Sequence, residues 1–165
     1  MPNLKYELLA DDTVKSWDGR TLFRIKALVA IAAFGVSAGD LGGYIEAEKN
    51  LQVSGDARVY DNAQVYDNAW VSGNAWVSGD ALVSGDALVS GDALVYGNAQ
   101  VSGNAQVSGD AWVYDNAWVS GNAQVSGDAR VYDNAQVYDN AWVSGNARVS
   151  GNARVSGDAQ VYGNA

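Results

Sequence analysis

Between Leu51 and Ala165 one six-residue unit, V-[S/Y]-[G/D]-[D/N]-A-x, repeats nineteen times without an insertion. Valine returns at every sixth position from Val53 to Val161, and an alanine follows each valine four residues later, from Ala57 to Ala165. A short fixed period with no interruption specifies a solenoid, because each unit buries its apolar face only against its neighbours. Within a unit the alternation Ala57, Arg58, Val59, Tyr60 predicts a short strand of about four residues with alanine and valine inward. The Gly-Asp, Gly-Asn and Asp-Asn pairs that follow tolerate positive φ and predict a corner. An interior supplied only with Val and Ala fills a narrow prism, and three sides close it best. Eighteen residues then make one coil, and the repeats make about six coils stacked ~4.8 Å apart, a prism roughly 30 Å long.

The unit resembles the hexapeptide repeat of left-handed parallel β-helix proteins, with an aliphatic residue inward and a small residue two places before it. That resemblance implies an all-β, left-handed parallel β-helix of triangular cross-section, whereas the general crossover rule favours the right hand. Periodicity alone is silent on the choice. Residues 1–50 carry no hexapeptide register and are expected to form an amino-terminal cap on the repeats of residues 51–165. The cap contains K-Y-E-L at Lys5–Leu8, G-R-T-L-F-R-I-K-A-L at Gly19–Leu28, and A-G-D-L-G-G-Y-I-E at Ala38–Glu46 with Asn50-Leu51. In these segments it resembles the amino-terminal module of a group of bacterial and phage hexapeptide-repeat proteins, most of them without an assigned activity.

Inside the cap we expect a short apolar run at Leu4–Leu9, a polar bend at Asp11–Asp18 and a strand at Thr21–Val29. In that strand Phe23, Ile25, Ala27 and Val29 share one face, and Arg24 and Lys26 the other. Ala30–Phe34 extends the strand or forms a short helix. Gly35, Gly39, Gly42 and Gly43 are expected to break the chain, and Leu41 and Ile45 to enter a first, irregular coil. Residues 52–75 and 124–147 are identical and lie 72 residues apart, four whole coils. Expansion by in-frame copying accounts for this and suits a spacer or repeated surface better than one catalytic pocket.

Net charge is −9, carried mainly by the repeats, where twelve aspartates face four arginines. An acidic surface repels nucleic acid; an acidic rod mimicking DNA is disfavoured by the exposed arginines and aromatics. The longest apolar run, Ala27–Val36, is too short to span a membrane, and Met1–Tyr6 does not resemble a leader. The expected setting is the cytoplasm or a phage particle.

The chain has no histidine and no cysteine. Acyltransferases of the hexapeptide superfamily resemble it in fold but typically use a histidine base. The γ-class carbonic anhydrases need three zinc-bound histidines. No enzyme, cofactor or catalytic residue is therefore expected. Ice binding calls for threonine arrays, and only Thr13 and Thr21 occur. Asp92, Asp110 and Asp128 fall on one corner of successive coils. They read as turn residues, with a stacked column for a hard cation such as Ca²⁺ as the alternative.

Residues eighteen apart share a face. The first face takes Arg58, Trp76, Leu94, Trp112, Arg130 and Arg148 beside Tyr60, Ser78, Tyr96, Tyr114, Tyr132 and Ser150, and its aromatic and arginine residues form the candidate binding strip. The second takes Gln64, Leu82, Gln100, Trp118, Gln136 and Arg154 with Tyr66 and Tyr138. The third takes Trp70, Leu88, Gln106, Gln124, Trp142 and Gln160. The strip suits sugar stacking or a protein interface, or braces neighbouring strands by cross-strand pairing. Val155, Ala159, Val161, Tyr162 and Ala165 are expected to form an open edge on the last coil, inviting end-to-end pairing into a homodimer while the cap blocks the opposite end. The expectation is a non-enzymatic, self-assembling scaffold, with a carbohydrate- or protein-binding module as the alternative and a hexapeptide-type transferase behind both.

Overall fold

A computed structural model describes residues 3–31 and 35–165. Among these residues the fold is all-β apart from one short 3₁₀ turn at Glu48–Asn50. Three longer strands, β1 (Tyr6–Lys15), β2 (Thr21–Ala27) and β3 (Leu41–Ile45), precede a run of two-residue strands, one per repeat, from β4 (Arg58–Val59) and β5 (Gln64–Val65) to β21 (Gln160–Val161). Each repeat strand pairs in parallel with the strand eighteen residues on, so Arg58 lies beside Trp76, Trp76 beside Leu94 and Leu94 beside Trp112. Three sheets result, parallel throughout the repeats and extended on one side by the antiparallel strands β1 and β2 beyond β3, and the coil is three-sided with eighteen residues per turn.

The physics of one unit repeats around the prism. Its valine and alanine are sealed inside, fully buried from Ala63 and Val65 to Ala147. The next coil receives three backbone bonds from each side, as when the N–H groups of Trp112, Tyr114 and Asn116 donate to Ala129, Val131 and Asp133 at 2.9–3.0 Å. The corner closes on itself where the Ala117 N–H donates to the Tyr114 carbonyl at 3.2 Å. Its third position takes positive φ, filled by glycine or by Asp61, Asp67, Asp115, Asp133 and Asp139 at φ 53–60°. Aspartate is tolerated there partly because its carboxylate accepts an N–H from the coil above: Gly151 donates to Asp133 at 3.0 Å and Gly79 to Asp61 at 3.2 Å. The fourth position builds amide ladders up the corners, with Asn104 donating to Asn122, Asn122 to Asn140 and Asn140 to Asp158 at 3.1–3.2 Å. Regular strand is therefore two residues long rather than four, since the corner consumes the rest.

The cap departs from expectation in several places. β1 runs straight through Asp11 and Asp12 to Lys15 with an irregularity between Leu9 and Thr13, so the polar segment is strand and the turn comes only at Ser16–Gly19. β2 buries Leu22 and Ile25, which lie in different apolar clusters, while Val29 is exposed beyond its end. The two-faced division of that strand fails because the cap covers β2 from both sides. The question of strand or helix at Ala30–Phe34 falls largely outside the described residues. Gly42 and Gly43 do not break the chain. They lie buried inside β3, where an added Cβ would come within 2.7 Å of backbone oxygens of Val59 and Ala63.

β3 supplies the irregular first coil. Ile45 pairs with Val65 and is fully buried, but Leu41 is 53% exposed and does not enter the core. Leu51, bridged to Val71, takes the next inward position. It does so two residues out of phase with the repeats, so Val53, although it matches the unit, is pushed out and is 38% exposed. The regular register begins at Gly55. One continuous apolar core runs from Tyr6, Ile25 and Ile45 of the cap to Val149, with Val155 and Val161 packed partly against it.

Candidate functional site

On the first face the structure brings the predicted residues together as a ladder. Tyr96, Tyr114 and Tyr132 stack face to face with centroids 5.0 Å apart and planes within 4°. Trp112 meets Tyr96 and Tyr114 edge-on at 6.4 Å, and Tyr60 meets Trp76 at 5.5 Å. The Arg130 guanidinium lies 4.6 Å over Trp112, and Arg58, buried beneath the cap, lies 4.8 Å over Trp76. Such contacts hold rings in place by about 0.5–1.5 kcal/mol each. Burial pushes the phenols of Tyr60, Tyr96 and Tyr114 upward. Trp76 and Arg148 remain the open parts of the strip, and a hollow of about 250 Å³ lies between Trp76, Leu94, Tyr96 and Trp112.

The second face holds what sequence reasoning missed. A groove of about 430 Å³ runs up the coils between Trp17 of the cap and Trp118, over Tyr66, Leu82 and Gln100, with Ser84 and Ser102 along it. Trp17 sits at the turn between β1 and β2 and is 85% exposed, and it lines the groove together with the buried Tyr66 and with Ser84. Arg20 pins the same turn to the first coil. It donates to Asp18 and Glu46 at 3.0 Å and pairs with Asp67, whose N–H donates to Glu46 at 2.8 Å. No sequence signal links Trp17 to Trp118, because a non-repeating hairpin places it.

Asp92, Asp110 and Asp128 do share one corner. They are not gathered into a cation site: Asp92 accepts the Asn74 amide at 2.9 Å as a rung of the ladder, and among the described residues no group of three acidic, histidine or cysteine side chains is arranged to hold a metal ion. At the last coil Val155 and Val161 are half-buried, whereas Ala159, Tyr162 and Ala165 are exposed. Among the described residues the N–H groups of Arg154, Ser156, Gln160 and Tyr162 donate to no backbone carbonyl. No helix of the described residues is long and apolar enough to cross a membrane.

A filled Val/Ala interior and outward columns repeated at eighteen residues define a parallel β-solenoid repeat protein, a class whose outer surface carries its interactions. The family model described as YdcK beta solenoid repeat matches residues 51–65, 63–79, 87–103, 99–114, 105–121, 123–139, 135–149 and 147–163, more than half of the chain, and the chain belongs to that family. No curated protein matches it.

Proposed function

We propose that the protein is a non-enzymatic structural scaffold, a rigid rod that associates with a second copy through its Trp76, Tyr114 and Arg148 face. The observation that carries this reading is preorganisation: stacked tyrosines and arginine-braced tryptophans lose little side-chain freedom on docking. The lack of histidine and cysteine supports a non-enzymatic role. Size sets the strength. Six strands ~4.8 Å apart and at most ~20 Å wide give roughly 600 Å² per face, below the ~800 Å² per partner of a standard stable interface. Face-to-face pairing is therefore weak and concentration-dependent. The hexapeptide period and the cap's resemblance to bacterial and phage proteins support a left-handed coil and a setting in the cytoplasm or on a phage particle.

A second reading, end-to-end pairing, rests on the N–H groups of Arg154, Ser156, Gln160 and Tyr162, which donate to no backbone carbonyl. Light scattering over a concentration series separates the two. The parent is expected to rise towards twice the monomer mass, a Trp76→Ala/Arg148→Glu variant to stay monomeric, and Val161→Arg to follow the parent. Loss of association in Val161→Arg alone replaces the face with the end coil, and a parent monomeric throughout removes self-association.

A further inference from the structure

We infer that the groove between Trp17 and Trp118 is a binding site for a short neutral carbohydrate chain, on a face separate from the proposed self-association strip. Its lining carries no charged side chain: tryptophans at the two ends, Tyr66 and Leu82 on the floor, and Gln100, Ser84 and Ser102 offering amide and hydroxyl groups along the length. Sugar rings present this same alternation, apolar C–H faces that lie flat on indoles and hydroxyl edges that need donors and acceptors. A groove of about 430 Å³ falls within the range of small-molecule sites. An anionic ligand finds no cation in the lining and meets a chain of net charge −9. A purely apolar segment would cover the Gln100 amide and offer it no partner.

The molecule contains its own control. Trp118 donates its indole N–H to Ser102 at 3.4 Å, and Trp142 on the third face donates to Ser126 at 3.2 Å. Both indoles are similarly exposed, at 46% and 44%. Local structure is thus the same, and what distinguishes Trp118 is the opposing Trp17, which lines the groove from a turn that the Arg20 clamp holds to the first coil. Two indoles at opposite ends of one groove engage the two ends of a short chain, whereas a lone indole engages one ring.

The test is nuclear magnetic resonance of the six tryptophan indole N–H signals, assigned with Trp17→Ala, Trp118→Ala and Trp142→Ala variants. The protein is titrated with maltotriose, cellotriose and chitotriose to about 10 mM, a range that detects millimolar affinity. At least one trisaccharide is expected to shift the Trp17 and Trp118 signals together and leave Trp142 in place. Trp17→Ala and Trp118→Ala each weaken binding at least tenfold, while Trp142→Ala binds as the parent. Trp17 is exposed enough that its loss leaves the fold intact, which a far-ultraviolet spectrum checks. The inference is overturned if no sugar moves the two signals, if all six indoles move alike, or if Trp17→Ala binds as tightly as the parent.

Discussion

At the scale of single residues, the corners decide most. The fourth position is Asn or Asp throughout, and the amides form a ladder because one asparagine both donates and accepts, whereas a carboxylate only accepts. Asn74 therefore hands its bond to Asp92, and the ladder stops where Asp92, Asp110 and Asp128 follow one another. Coil spacing stacks these like charges about 5 Å apart. Asp110→Asn removes two repulsions and adds a donor towards Asp128, so it is expected to stabilise by about 0.5–1 kcal/mol, raising the melting midpoint by roughly 1–4 °C. A calorimetric scan showing no change or a lower midpoint contradicts the ladder account. The corner types were legible in the sequence, because Gly, Asp and Asn are the residues that accept left-handed backbone. The ladder's direction was not, since it depends on amide orientation between coils.

At the scale of the element, the duplicated segments show what a local pattern can and cannot specify. Residues 52–75 and 124–147 share every side chain, yet Tyr66 is buried under the cap where its twin Tyr138 is half-exposed. Val53 is pushed out where its twin Val125 is sealed inside. The difference comes from the neighbour below: Leu51 fills the inward position first, two residues out of phase, and the cap closes over it. Val125→Ala is thus expected to cost about 2 kcal/mol through a cavity in a core that cannot collapse, and Val53→Ala less than about 0.5 kcal/mol. Equal losses in chemical denaturation would contradict the register described here. The repeats were readable because each unit sees an identical neighbour. The hairpin of the cap was not, because β1 buries only Tyr6 and β2 buries Leu22 and Ile25 in separate clusters, so neither keeps one apolar face along its length; Trp17 followed it out of reach of prediction.

At the scale of the whole molecule, the cap is fastened through a buried lysine. The Lys5 ammonium donates to the carbonyls of Ala57 at 2.7 Å and Gln52 at 3.0 Å, and burial pushes its pKa down to about 8 despite the Asp56 carboxylate. Between pH 8 and its ordinary 10.5 the unfolded chain holds a proton that the folded chain has released, so stability rises with pH across that window. Tyr6, also buried, has its phenol pushed upward from its ordinary 10. Above that pH the unfolded chain loses the proton first, and stability falls. Urea unfolding is expected to place the maximum near pH 10, and Lys5→Met to abolish the rise from pH 8; a parent whose stability falls steadily from pH 8 would contradict this assignment.

The proposed side-by-side pairing of two rods through their aromatic faces also belongs to this scale. Small-angle X-ray scattering over a concentration series tests it most directly, because the two modes of pairing change different dimensions. Side-by-side association is predicted to widen the cross-section with concentration at constant length, and to vanish in the Trp76→Ala/Arg148→Glu variant. A particle that lengthens at constant cross-section, or one whose shape is independent of concentration, would contradict it.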